Sequence, residues 1–439
     1  MMAQRRTIVI KDIATLAKSA SVATAALSSE VKRTALGNIA QALLDHQDEI
    51  IAANESDLVQ ARKDNLATAL LKRLKFDADK IKEAAAGINS LIKLPDPVGK
   101  TLKCTELDTG LELFQVTCPI GVLGIIFESR PDALVQISAL ALTSGNCVLL
   151  KGGSEAMHTN RILFDIIYQA SIDSGIPRNW MGLIETRDDV KEMLSLDDCI
   201  DLIIPRGGNA FVQYIMQNSN IMVLGHADGI CHVYIDCDAN IDMAVDVAFD
   251  SKCQYAAVCN AMETLLVHEQ IANAVLPKLK DVYTKAGVTL VGCEKSRKVI
   301  DINAASEADW QTEYNDLTLS IKIVTDVDDA ITHVNHYGSS HTDAIVTGNQ
   351  ATAATFLNLC DTANAYWNCS TRYADGFRYG LGAEVGVSTN KIHARGPVGL
   401  EGLVSYKYIM IGNGQVVSDY SGDDGKAYTH KVLDKDCPL

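Results

Sequence analysis

Cys259 lies in the stretch Val258-Cys259-Asn260-Ala261-Met262-Glu263-Thr264, just ahead of the apolar run Leu265-Leu266-Val267. A cysteine on a short loop entering a buried strand is a fixed, reachable sulfur. As a thiolate it is the strongest ordinary side-chain nucleophile near neutral pH. This spacing offers Cys259 for covalent catalysis, against the alternative that, as one of twelve cysteines, it is a small buried hydrophobe.

Two further stretches carry the chemistry of a phosphate site: Leu150-Lys151-Gly152-Gly153-Ser154 and Ile204-Pro205-Arg206-Gly207-Gly208-Asn209. Each ends an apolar run and precedes a helical pattern. Glycines let backbone N–H groups approach phosphate oxygens at a helix N-terminus, and Lys151 and Arg206 add positive charge. Neither is the Gly-x-Gly-x-x-Gly fingerprint, and either alone also reads as a plain strand-to-helix turn. Two such turns on successive strands of one sheet favour a dinucleotide site. The segment Phe127-Glu128-Ser129-Arg130-Pro131-Asp132 places polar groups at a strand end, where Ser129 and Arg130 suit an anionic substrate and Ser129 or Asp132 equally suits a helix cap. The glycine-dense stretch from Trp367-Asn368-Cys369-Ser370-Thr371-Arg372 to His393-Ala394-Arg395-Gly396-Pro397 reads as a loop lining a site. His393 reads as a structural histidine before a base. The series Asp329, His333, His336 with nearby His341 fits an exposed helix face better than a metal site.

The elements that must position these groups follow from periodicity. Residues 11–93 read as helices, the clearest at 78–92, where Asp77 caps and Ile81, Ala85, Ile88 and Ile92 recur at helical spacing. Thr101–Thr117 alternates around Asp108-Thr109-Gly110 as a β-hairpin, the kind of arm that serves assembly. Apolar runs at 120–127, 147–150, 181–184 and 200–204 alternate with helical segments, as do runs at 231–235, 265–267, 288–291, 321–324, 344–346 and 363–367. The expectation is an α/β fold with two doubly wound domains. The first spans 1–228, with its hairpin near 101–117, and the second spans 229–400 and carries Cys259. A late strand at 404–411 and a loosely ordered polar tail make up 401–439.

The composition is that of a soluble globular protein, with 439 residues, 47% hydrophobic and 21% charged. A net charge of -16 and no basic stripe argue against nucleic acid as partner. The scattered cysteines form no Cys-x-x-Cys pair, so no metal site is expected and a reduced, cytoplasmic compartment is. Apolar runs are too short for a membrane span, and the run after Arg5 and Arg6 is too brief for a secretory core.

With these residues assembled, the chain resembles the gamma-glutamyl phosphate reductases, a family of the aldehyde dehydrogenase superfamily. The likeness is carried by Pro119-Ile120-Gly121-Val122, the 127–131 stretch, Leu150-Lys151-Gly152-Gly153, Ile204-Pro205-Arg206-Gly207 and Gly225-His226-Ala227-Asp228-Gly229. It continues through Cys259 to Thr264, Gly338 to Asp343, and His393 to Gly399, in order over roughly residues 10–412. The resemblance implies an aldehyde dehydrogenase-like fold with an oligomerisation hairpin and strand. It implies NADPH-dependent reduction of L-glutamate 5-phosphate to glutamate 5-semialdehyde, the second step of proline synthesis. Cys259 falls on the family's nucleophile and implies a thioacyl enzyme. The backbone N–H of Cys259, with Asn260 or Ser129, would then hold the oxyanion. Lys151, Gly152, Gly153, Ser154, Arg206, Gly207 and Gly208 would hold NADPH. Arg130, Asn368, Thr371, Arg372 and Arg395, together with Ser129, would take the substrate's charged groups. The implied partners are glutamate kinase, which makes the unstable substrate, and further copies of the chain.

Departures also inform. Hydrolytic relatives carry a glutamate base where this chain reads Leu224-Gly225-His226-Ala227-Asp228-Gly229, a loss that agrees with keeping water off a thioester. Ser154 replaces an acidic group of the cofactor stretch, which admits a 2'-phosphate, although Glu155 follows it. Cys253 and Cys369 stand where the family implies threonine and alanine, and read as packing variants. An oxidising aldehyde dehydrogenase and a non-catalytic partner of glutamate kinase are the competing readings.

Overall fold

The computed structural model describes residues 10–439, with Ser129, Thr186, Arg187, Ala227 and the side chains of Ala69 and Asp188 outside the described residues. It opens on helices Ile10–Ala25, Ser29–Asp45, Gln47–Lys63, Thr68–Leu74 and Ala78–Leu91. Ser28 and Asp77 cap two of them by accepting from the backbone N–H groups of Val31 and Lys80. The expected stripe of Ile81, Ala85 and Ile88 is buried, and Leu91 completes it.

Strands β1 (Thr101–Asp108) and β2 (Leu111–Pro119) form the expected hairpin. Gly110 turns it at φ +72°, where a Cβ would also meet Asn413 Nδ2 at 2.8 Å. Then come β3 (Val122–Phe127), β4 (Cys147–Lys151), β5 (Met181–Ile184) and β6 (Leu202–Arg206), a parallel sheet in the order β5-β4-β3-β6. Strands β3 and β4 are buried throughout, as a parallel sheet covered on both faces requires.

The second series comprises β7 (Cys231–Ile235), β8 (Met262–His268), β9 (Thr289–Gly292), β10 (Asn303–Ala304), β11 (Thr318–Val324), β12 (Thr342–Val346) and β13 (Asn364–Trp367). They make one sheet in the order β10-β9-β11-β8-β7-β12-β13. Every pairing in it is parallel. Alternate residues feed different cores: Val233, Leu265 and Val267 pack with Val275 and Leu279, while Tyr234, Leu266 and Ile345 pack with Val334 and Phe356. Strands β14 (Gly386–Ser388) and β15 (Gly396–Val398) pair antiparallel. After them β16 (Val404–Ile411) runs antiparallel to β2, and β17 (Lys431–Leu433) runs antiparallel to β1.

The chain divides into two compact units. One holds residues up to Gly207, Tyr214–Val223 and Gly399–Leu439; the other holds Gly208–Gln213 and Leu224–Val398. The α/β class with two parallel sheets is as expected. The tail departs from expectation, since it is ordered: β17 joins the β1 edge, Leu433 and Cys437 pack beside Cys104 and Phe114, and Tyr420 donates to Asp108. Its polar composition hides a short strand that the open edge of β1 templates. The histidine series departs as well: His333 is 2% exposed and His341 is fully buried, so it is not an exposed helix face. No helix among the described residues is long and apolar enough to cross a membrane.

Leu266 is fully buried beneath helices Val327–Tyr337 and Gln350–Leu359. Leu266→Ala is expected to lower unfolding free energy by about 3 kcal/mol, read from the guanidinium midpoint at unchanged slope.

Candidate active site

The loop that carries Cys259 joins helix Ile241–Cys253 to β8. Asn240 caps that helix by accepting from the backbone N–H of Met243, and its last turn holds Lys252. Lys252 Nζ donates to Glu263 Oε2 at 2.5 Å, both side chains are fully buried, and the Tyr314 ring centroid lies 5.8 Å from the ammonium. This pair closes the two ends of the loop on each other. Burial pushes the Glu263 carboxyl up to about 7, against the opposing pull of Lys252.

Three further contacts fix the loop. Cys231 Sγ donates to the Cys259 carbonyl at 3.2 Å, and Asn260 Nδ2 donates to the Ala374 carbonyl at 2.8 Å. Gly229 lies against the loop so closely that a Cβ there would stand 2.2 Å from the Cys259 carbonyl oxygen and 2.4 Å from its Cα. Only a glycine admits this approach of two backbones.

Cys259 is part-exposed as a residue. Burial pushes its thiol up to about 12, with the Glu313 and Glu384 carboxylates adding to the shift and its own backbone N–H and Arg372 opposing it. Both carboxylates are held: Glu313 accepts from Asn209 Nδ2 at 2.6 Å, and Glu384 accepts from the Gly376 N–H at 2.8 Å. One ring nitrogen of His226, one of His341 and Sγ of Cys259 lie within 4.8 Å of one another. His226 Nδ1 is 3.1 Å from the Val387 carbonyl, and the two imidazoles meet edge to face at 5.0 Å.

Among the expected substrate residues, Arg372 reaches the thiol's surroundings, with its Nε donating to Gln254 Oε1 at 2.9 Å. Thr371 Oγ1 is buried with no partner among the described residues. Asn368 has φ +58°, its Oδ1 accepting from the Thr347 N–H and its Nδ2 donating to the Thr347 carbonyl. Arg395 Nη2 pairs with Asp361 at 3.1 Å, and its Nε donates to the Thr389 carbonyl. Arg130 is exposed and bonds Asp132 at 3.2 Å, while Ser129 lies outside the described residues.

The two glycine turns leave the same edge of one sheet. In register, Ile126 faces Lys151 and Phe127 faces Arg206, so the carboxyl ends of β4 and β6 flank that of β3. Lys151 Nζ donates to the Gly152 carbonyl at 2.7 Å. A Cβ on Gly152 would stand 2.2 Å from Asn160 Nδ2 and 3.2 Å from the Phe127 ring. Gly152, Gly153, Ser154, Asn160 and Glu185 border a shallow open hollow, after which the chain runs through a turn of 3-10 helix into helix Met157–Asp173. Asn160 Oδ1 is buried without a partner among the described residues. A glycine cradle beside an unfilled acceptor fits the phosphate and hydroxyl groups of a dinucleotide.

Reading the sequence did not single out Lys252, Glu263, Glu313, Glu384 or the roles of Gly229, His226 and His341. Gly229 and His226 were within reach, since they share one short motif. Lys252 and Glu263 pair across a loop, and no periodicity marks such a contact.

Gly229→Ala is expected to lower kcat/KM by at least about 100-fold through displacement of Cys259, with cofactor affinity in a binding titration unchanged. Glu263 titrates near 7 when folded against its ordinary 4.5, so its contribution is fully present below pH 4.5 and is lost as pH rises through 7. Relative to Glu263→Gln, the wild type should lose on the order of 2–3 kcal/mol between pH 4.5 and 7.5 in denaturant unfolding.

Known proteins identify the family of the chain. Residues 3–295 match the aldehyde dehydrogenase family. A gamma-glutamyl phosphate reductase from Acetivibrio thermocellus is 60% identical, over 98% of this chain and all of that one. The crystal structure of a gamma-glutamyl phosphate reductase from Thermotoga maritima superposes with a TM-score of 0.90 at 38% identity, covering 92% of this chain and 99% of that one. An engineered glycolyl-CoA reductase with bound NADP+ shares the fold at 16% identity and a TM-score of 0.62, covering 91% of this chain and 96% of that one. The chain belongs to the gamma-glutamyl phosphate reductases, oxidoreductases of the aldehyde dehydrogenase family.

Proposed function

We propose that the chain reduces L-glutamate 5-phosphate to L-glutamate 5-semialdehyde with release of phosphate, the second step of proline biosynthesis, using NADPH. The observation that carries this reading is a cysteine on a loop fixed by the Lys252–Glu263 pair, Cys231, Asn260 and Gly229.

Cys259 Sγ attacks the acyl carbon, and phosphate, a good leaving group, departs to leave a thioacyl enzyme. The backbone N–H of Cys259 and the second amide hydrogen of Asn260 stabilise the oxyanion, while Ala374 holds the first. Arg372, with Thr371 beside it, meets a charged group of the substrate. Arg130, Asn368 and Arg395 support the remaining contacts, Asn368 and Arg395 by shaping the loop around them. Lys151, Gly152, Gly153, Ser154, Arg206, Gly207 and Gly208 would hold a nicotinamide cofactor, which would supply the hydride for the reduction, and the preference for NADPH rests on Ser154 at the position of an acidic group. Among the described residues, the two carboxylates that act on the thiol, Glu313 and Glu384, are both hydrogen-bonded, and this favours reduction over hydrolysis of the thioester.

The same reading places the enzyme in the cytoplasm, receives its labile substrate from glutamate kinase, and joins copies of the chain through the outer edge of β16, where Tyr406, Tyr408 and Met410 are exposed.

Purified protein given glutamate 5-semialdehyde should reduce NADP only when phosphate is present, and NADP at least about tenfold more efficiently than NAD. Cys259→Ser should lower turnover by at least about 1,000-fold while leaving NADPH binding intact. Turnover without phosphate would show an oxidising aldehyde dehydrogenase instead, and full activity in Cys259→Ser would remove Cys259 as nucleophile.

A further inference from the structure

The thiol sits in a setting that opposes its ionisation, with burial and two carboxylates holding its proton on. Attack at neutral pH therefore needs a group that removes the proton as the carbon–sulfur bond forms. Beyond the nucleophile reading, on which this inference rests, two imidazoles each place a ring nitrogen within 4.8 Å of the sulfur.

They are not equivalent. The Val387 carbonyl beside His226 Nδ1 can only accept, so Nδ1 carries the hydrogen and the lone pair of the neutral ring is on Nε2. His341 is fully buried, with Nδ1 at 2.8 Å from Thr342 Oγ1 and 3.8 Å from Cys231 Sγ. Burial drives His341 well below the usual histidine range, and the charge of His226 drives it the same way. His226 is part-exposed, whereas His341 is not.

We infer that His226 is the proton acceptor for Cys259, held in its working tautomer by the Val387 carbonyl and kept edge-on by the His341 ring. As Sγ bonds to the acyl carbon, its proton passes to His226 Nε2, the acyl carbon–oxygen bond breaks, and the leaving phosphate takes that proton. The step balances with no further reactant.

The other ionisable groups around the thiol fit this role. Glu313 and Glu384 oppose a bare thiolate, yet tolerate a thiolate paired with an imidazolium because that pair is neutral as a whole. Arg372 favours the thiolate, and the Cys231 thiol, buried and pushed well up, stays protonated.

The test is the rate at which iodoacetamide alkylates Cys259 across pH, followed on the Cys259 peptide by mass spectrometry, in wild type and His226→Asn. Asparagine keeps a donor near the Nδ1 position and lacks Nε2, so the Val387 contact survives and the base does not. The expected result is alkylation at pH 7 at least about tenfold slower, a profile displaced to higher pH, and kcat lower by about 100-fold. His341→Asn should move the profile less than His226→Asn. An unchanged profile in folded His226→Asn overturns the inference. If that variant does not fold, the same alkylation profile is taken in His226→Gln, where an unchanged profile likewise overturns the inference. Alkylation is independent of turnover, so activity persisting in Cys259→Ser would defeat the nucleophile reading without disturbing this readout.

Discussion

Much of the second unit is organised by one buried contact, the ammonium of Lys252 against the carboxylate of Glu263. Two charges without solvent cannot be separated cheaply, because removing either partner strands the other in a medium that cannot solvate it. The end of helix Ile241–Cys253 and the start of β8 are therefore held together, and the loop between them has little freedom. A buried pair is poor evidence for stability and good evidence for register. Here the register is that of a sulfur atom, and Gly229, Cys231 and Asn260 restrain the same few residues from other directions.

The two units use their parallel sheets differently. In the first, the glycine turns follow the carboxyl ends of β4 and β6, where helix N-termini and exposed N–H groups favour phosphate. In the second, the thiol stands ahead of β8, at the end where the strand begins. Backbone N–H groups suit a permanent anion, whereas a nucleophile needs a rigid mount and a neighbour that can exchange a proton. Each site follows from the polarity of the element that carries it.

Most of the framework was legible in the sequence because periodicity reports burial directly. The runs at 181–184, 231–235 and 404–411 match their strands residue for residue, and Asp77 caps the helix it was expected to cap. The tail was misread since β17 is only three residues set in a polar stretch and exists by pairing with β1, which is a property of the partner edge rather than of residues 431–433. His333 and His341 were misread for a related reason: their polarity suggested exposure, but the helix that carries His333 and the bend ahead of β12 that carries His341 turn those positions inward. The nucleophile itself was visible as a cysteine before an apolar run. The groups that tune it come from positions 226, 313, 341, 372 and 384, and only the fold brings them together. Asn368 shows the converse case, a residue in a suggestive motif whose side chain braces the Thr347 backbone.

The central claim is that the acyl group passes through the sulfur of Cys259. Its most direct test is acid quenching of the wild-type enzyme within the first turnover on the acyl phosphate, without reduced cofactor, followed by peptide mapping of any acid-stable adduct. The account predicts a glutamyl group on the Cys259 peptide that disappears when NADPH is added before the quench. An adduct on Cys253 or Cys369, or none at all while phosphate is still released, would contradict it.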